Sequence, residues 1–155
     1  MDLNRVKDYK VLLVGDAIMD EYIYVNCVGK AVKEAALSAV IGKKEVFKGG
    51  IWAAAQHVRS FCAKVDIMRG THCMWNTRLV DDVYLRKLFV LHELRENDTQ
   101  SQKYDIGSYD LVIVTDFGHG TMTAELIARV TKEARYLAVN AQTNSTNFGF
   151  NVITK

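Results

Sequence analysis

Four short runs of aliphatic and β-branched residues mark the chain: Lys10–Val14, Lys64–Met68, Leu111–Thr115 and Tyr136–Val139. Apolar runs of this length, bounded by glycine or polar positions, predict strands buried on both faces. Two stretches repeat with helical spacing instead. Ile51, Ala54, Ala55, Val58 and Cys62 share one helix face, and Leu126, Ile127, Val130 and Ala134 share another. Thr121 or Thr123 suits the cap of the second helix, with Glu125 in its first turn. Strands alternating with helices predict an α/β domain.

Between these elements lie segments that mix β-branched, aromatic and basic residues: Ile23–Val28, Ser38–Phe47 and Thr77–Leu94. They predict strands that are at least partly exposed. Gly29–Leu37 fits either a helix or a loop, Met1–Tyr9 reads as a polar leader, and Arg95–Ser108 as a loop.

The composition adds limits rather than direction. At 155 residues, 49% hydrophobic and 25% charged, the chain has the size and makeup of one globular domain. A net charge of +2, with no basic run interleaved with aromatics, gives no sign of a nucleic-acid partner. No apolar stretch approaches 18 residues and no signal-peptide pattern is present, so the expectation is a cytoplasmic protein without a membrane partner. Cys27, Cys62 and Cys73 are odd in number and widely spaced, as expected of reduced thiols. His57, His72, His92 and His119 lack metal-ligand spacing, so no metal site is expected from them.

The candidate chemistry gathers where strands end. Lys10–Val14 stops at Gly15-Asp16, and a second acid, Asp20, precedes Tyr22 and Tyr24. A carboxylate at the carboxyl edge of a buried strand stands where open α/β sheets place ligands. Asp16 equally suits capping of the next turn, and Asp20 a solvated position. Gly49-Gly50 leads into the first helix, whose free N–H groups suit an anion or hydroxyl, or it is simply a tight turn. Leu111–Thr115 ends at another acid, Asp116.

Taken together, four ordered stretches resemble the PfkB (ribokinase-like) carbohydrate kinases. They are the strand with Gly15-Asp16-x-x-x-Asp20-x-Tyr22, Lys48-Gly49-Gly50 before a helix, Tyr109–Gly120, and Ala138–Phe150. The nearest branch is the one that phosphorylates heptose 7-phosphate, and only the N-terminal, substrate-binding half is represented. The resemblance implies a mainly parallel sheet with flanking helices and a small β lid, truncated or with an internal deletion, in one partial kinase domain over residues 1–155. The lid strands fall within 22–47 and 77–94. Arg69–Asn76 is the awkward stretch: the family spends a further strand, helix and strand here, whereas this chain crosses in about eight residues and a parallel crossover needs roughly a dozen or more. The resemblance therefore implies that a segment has been lost there or that the local topology differs.

The implied activity is ATP-dependent phosphorylation of a sugar or sugar phosphate, with Mg as the accompanying ion and a homodimer formed through the lid. Sugar hydroxyls would meet Asp16, Asp20, Gly49 and Gly50, carboxylates being acceptors only. Asp116, Gly118, His119, Asn140 and Asn144 would lie on the phosphate or nucleotide side, beside Gln142, Thr143 and Asn147. Arg78, Arg86 and Lys87 would reach from the lid or form a solvated face. Two departures stand out: Gln56 is the nearest amide where the family carries asparagine, and His119 replaces a lysine. No P-loop and no His-x-Gly-His motif occurs, and the family's later Gly-Ala-Gly-Asp catalytic element has no counterpart in the 155 residues. The rival expectation is a non-catalytic sugar-binding or dimerisation module derived from such a kinase.

Overall fold

A computed structural model describes residues 3–96 and 104–142. Two strands dominate it. β1 covers Lys10–Lys30 and β3 covers Lys64–Asp81, and they run parallel to each other over most of their length. Strands usually have 3–10 residues. These two are long because each serves two sheets in turn.

The lower part is an all-parallel sheet in the order β3-β1-β5-β6, with β5 at Leu111–Asp116 and β6 at Leu137–Ala141. Helix α1 (Ile51–Arg59) covers one face and α2 (Ala124–Glu133) the other. The alternation of β1 decides which residues meet which helix. Val11, Leu13 and Ala17 join Ile51 and Ala55, while Leu12 and Val14 join Val112, Val114 and Val130. Both faces of Val11–Val14 are therefore buried, which explains the unbroken apolar run.

In the upper part the neighbours change. β1 loses β5 after Gly15 and gains β2 (Leu37–Gly50), antiparallel, from Ala17 onward. On the far side β4 (Lys87–Glu96) pairs with the upper half of β3, also antiparallel. The result is a four-stranded lid, β2-β1-β3-β4, continuous with the core sheet. The expected α/β architecture with a small β lid is present.

Some expectations change in detail. Arg69–Asn76 is not a crossover: it lies inside β3, which runs straight from core to lid. The pairing passes from Gly15↔Arg69 to Ala17↔Cys73, so three residues of β3, Gly70–His72, bulge opposite Asp16. No connection has to fit there, because core strand and lid strand are one strand. Ile23–Val28 is likewise the end of β1, and Gly29–Leu37 contains a loop closed by the Ala31 N–H donating to Ala36 O. Met1–Tyr9 includes a short 3-10 turn over Leu3–Asp8, and Arg95–Glu96 belong to β4.

Helix α2 starts as expected, and Thr123 rather than Thr121 is its cap: the Thr123 hydroxyl accepts from Leu126 N at 3.2 Å. Thr123→Ala should lower stability by about 1 kcal/mol, measurable as a shifted urea midpoint with an unchanged slope. A null effect would mean that the cap is frayed. No helix among the described residues is long and apolar enough to cross a membrane. Cys62 and Cys73 are buried free thiols, and burial pushes both thiol pKa values up, away from the reactive thiolate.

Candidate functional site

The site lies where β1 exchanges β5 for β2. There β1 changes partner, at a topological switch point outside the carboxyl end of β5, the position at which open α/β sheets place a ligand crevice. Three elements end around it: β1 passes Asp16, β2 ends at Gly49-Gly50, and β5 ends at Asp116.

Asp16 is 1% exposed, and its carboxylate is fully engaged. One oxygen accepts from the backbone N–H of Phe117 at 2.7 Å and of His119 at 3.2 Å, the other from Thr121 N at 3.1 Å. Asp16 thus caps, from inside, the loop after β5, a segment distant in sequence rather than the next turn.

The same bonds decide how the Asp116–Thr121 loop can be used. Gly118 and Gly120, at φ 78° and 92°, curl the loop so that alternate amides point inward. Gly118 N donates to Asp116 Oδ1 at 2.9 Å. The N–H groups of Phe117, Gly118, His119 and Thr121 are therefore bonded within the chain. No cluster of three or more His, Cys, Asp or Glu side chains suited to a metal occurs among the described residues. Asn140 is exposed at the end of β6, and Asn144, Thr143 and Asn147 lie outside the described residues.

Asp20 is placed differently. It lies on the same face of β1 as Asp16, one step into the lid, with its side chain 25% exposed. Its Oδ1 pairs with Arg78 Nη1 and accepts from Asn76 Nδ2 at 3.1 Å. Asn76, 8% exposed, in turn offers Oδ1 to His92 Nδ1 at 2.7 Å. With the Asn76 amide so oriented, its oxygen is an acceptor and His92 carries its hydrogen on Nδ1. The chain His92–Asn76–Asp20 follows directly from register, because Asp20, Asn76 and His92 pair across β1, β3 and β4. Arg78 also lies 5.3 Å from the Tyr22 ring centroid, and Tyr22 meets Phe47 edge-on at 5.8 Å.

Gly49 adjoins this acid: a Cβ there would stand 3.0 Å from Asp20 Oδ2. Gly50 takes φ 56° at the N-cap of α1, where a side chain would collide with Asp16 O. The Gly-Gly pair thus lets the backbone pass close to β1 and delivers α1 to the crevice rim. Asp20 and Gly49 are therefore adjacent, and Gly50 stands against the Asp16 backbone. Asn76 and His92 were not expected, because only the register of a continuous β3 reveals them. The facing positions of Glu21, Trp75 and Thr77 point to the opposite side, where Glu21 Oε2 accepts from Thr77 Oγ1 at 2.8 Å.

The fold is that of the ribokinase-like α/β proteins. A candidate phosphofructokinase from Staphylococcus aureus superposes with a TM-score of 0.52 at 10% identity, over 86% of this chain and 53% of that one. A carbohydrate kinase from Agrobacterium tumefaciens gives 0.49 at 12% identity, over 84% and 53%. Phosphofructokinase-2 from Escherichia coli, in complex with fructose-6-phosphate, gives 0.47 at 12%, over 88% and 56%. The chain spans about half the length of these structures. No model of a known protein family matches it, and no curated protein does.

Proposed function

We propose that this chain is the sugar-binding half of a carbohydrate kinase, holding a sugar or sugar phosphate in the crevice between Asp20 and the Gly49-Gly50 turn. The observation that carries the reading is Asp20. It is a partly buried carboxylate with Oδ1 held by Arg78 and Asn76, and Oδ2 beside the bare Gly49 backbone. A carboxylate so fixed is suited to accepting a hydroxyl proton from a ligand. Arg78 and His92 would place positive or hydrogen-bonding groups at the same mouth, which suits a phosphorylated sugar. The sequence resemblance favours heptose 7-phosphate among such ligands.

Phosphoryl transfer would also require an ATP site and a base, and the Gly-Ala-Gly-Asp element that supplies them in the resembling kinases has no counterpart in the 155 residues. That absence gives weight to the second reading, a module that binds sugar without turning it over. The engaged amides of the Asp116–Thr121 loop favour it. Pairing through the lid belongs to both readings. Leu37, Val40 and Ile41 on β2 and Phe89 and Leu91 on β4 are all more than half exposed, apolar surface along the two lid edges that a second copy would cover. Light scattering should then report twice the 17.5 kDa of one chain.

The test is a calorimetric and thermal-shift titration with fructose 6-phosphate, heptose 7-phosphate and, separately, Mg-ATP. Sugar phosphate should raise the melting temperature and Mg-ATP should not. Asp20→Asn, checked for an unchanged melting temperature without ligand, should weaken sugar-phosphate binding by about thirtyfold, the loss of one charge-assisted hydrogen bond. Equal binding by Asp20→Asn and the parent would sink the reading. A response to Mg-ATP alone would do so too.

A further inference from the structure

On the other face of the sheet, away from Asp20, the outer side of α1 and the end of β2 enclose a cleft of about 330 Å³. Its walls are Lys48, Trp52, Ala53, Gln56, His57 and Arg59. That volume falls at the lower end of the range for small-molecule sites. Trp52 provides an apolar surface, and two cations already stand over its ring. Lys48 Nζ lies 6.0 Å and Arg69 Cζ 5.6 Å from the ring centroid.

The charge of the cleft is one-sided. None of the lining residues is acidic. The ion pairs among the described residues involve Lys43, Arg78, Arg95 and Arg129, so Lys48, Arg59 and Arg69 have no carboxylate partner there. Elsewhere on the lid a cation beside an aromatic ring is neutralised: Arg95, 4.1 Å from the Trp75 centroid, pairs with Glu93 at 2.6 Å. Two unpaired cations at one aromatic ring, with Arg59 elsewhere in the cleft lining, give a positive lining that an anion would complement. A chain with a net charge of only +2 has no general surplus of basic residues to explain the gathering.

We propose that this cleft binds a small phosphate monoester with a planar or apolar substituent. Lys48 and Arg59 hold the phosphate, and the substituent rests on Trp52, with Arg69 behind the ring. A phosphate monoester carries roughly −1.5 to −2 at neutral pH, which matches several cations better than a carboxylate does. Arginine offers it two parallel N–H bonds, and lysine a point charge. This site is separate from the sugar crevice and stands or falls independently of it.

Phenyl phosphate tests it, with inorganic phosphate and phenol as the two halves of the probe. Titrated calorimetrically into the intact chain, phenyl phosphate should bind at least about tenfold more tightly than either half alone, the ring on Trp52 giving the gain over inorganic phosphate and the charged contact the gain over phenol. The double variant Lys48→Gln/Arg59→Gln should lose about tenfold or more for the same reason. Both residues are exposed, so circular dichroism should show the variant folded. In a Trp75→Phe background, phenyl phosphate should quench Trp52 fluorescence with the same midpoint. Asp20→Asn should bind phenyl phosphate as the parent does, which separates this site from the crevice. No saturable signal, undiminished binding by the double variant, or binding only to anionic lipid vesicles or RNA would each overturn the proposal.

Discussion

Asp16→Ala should destabilise the protein by about 4 kcal/mol, because it strips a buried acceptor from three backbone N–H groups at once. Phe117, His119 and Thr121 all donate to this one carboxylate, and at 1% exposure water has no easy way in to replace it. Each unsatisfied buried donor costs roughly 1–3 kcal/mol, and partial relaxation of the loop keeps the sum near the lower end. A domain with about 5–15 kcal/mol of stability would come close to losing its folded population at 37 °C. Asp16→Asn retains one acceptor oxygen and should cost about half as much. Urea unfolding gives both values. Amide exchange gives the location: Phe117, His119 and Thr121 should lose protection before the strands do. A loss below about 1 kcal/mol for Asp16→Ala would show that the loop is not held by this residue.

The second large effect belongs to Gly15. This residue pairs with Thr115, and a Cβ built on it would overlap the Thr115 carbonyl oxygen and hydroxyl. The collision is mostly with backbone, so no side-chain rotation relieves it. Gly15→Ala should therefore force β1 and β5 apart where the crevice begins, at a cost of about 3 kcal/mol. Gly42→Ala is the matched control. Its added Cβ would approach only Tyr24 O, at 3.7 Å, an ordinary contact, so its effect should stay within about 0.5 kcal/mol. Similar melting temperatures for Gly15→Ala and Gly42→Ala would contradict the close approach.

The core was legible because its chemistry is local. Val11–Val14 and Leu111–Thr115 are apolar on both faces since helices lie on both, and α2 announces itself with the Thr123 cap and Ile127, Val130 and Ala134 on one side. The lid was legible only in pieces. β1 and β3 change environment midway, from a sheet covered on two sides to one open to solvent, so one continuous strand reads as several segments. Arg69–Asn76 looked like a connection because its glycine, histidine and threonine fit no buried strand. They form the bulge and the lid half of β3.

The role of Asp16 could not be settled from its neighbours, because its partners lie 101, 103 and 105 residues further along. Asn76 and His92 were hidden for a related reason. Polar residues in a mixed segment carry no signal until pairing aligns them with Asp20. Gly49-Gly50 was visible since glycine is the residue type that a close backbone passage demands.

Consider, finally, how the upper sheet can move. β1 and β3 cross from one region to the other as parallel rails, bonded to each other on both sides of Gly15, and no loop interrupts either of them at the boundary. Such a ribbon has no hinge. Tilting it over the crevice means bending or twisting hydrogen-bonded backbone, and the compliance is concentrated in the three-residue offset at Gly70–His72. Thr121 fills the space beside Gly70, and its own N–H is tied to Asp16. The stiffness of the ribbon is thus set in the core, by the packing around a single joint, rather than by contacts between the moving part and whatever it covers.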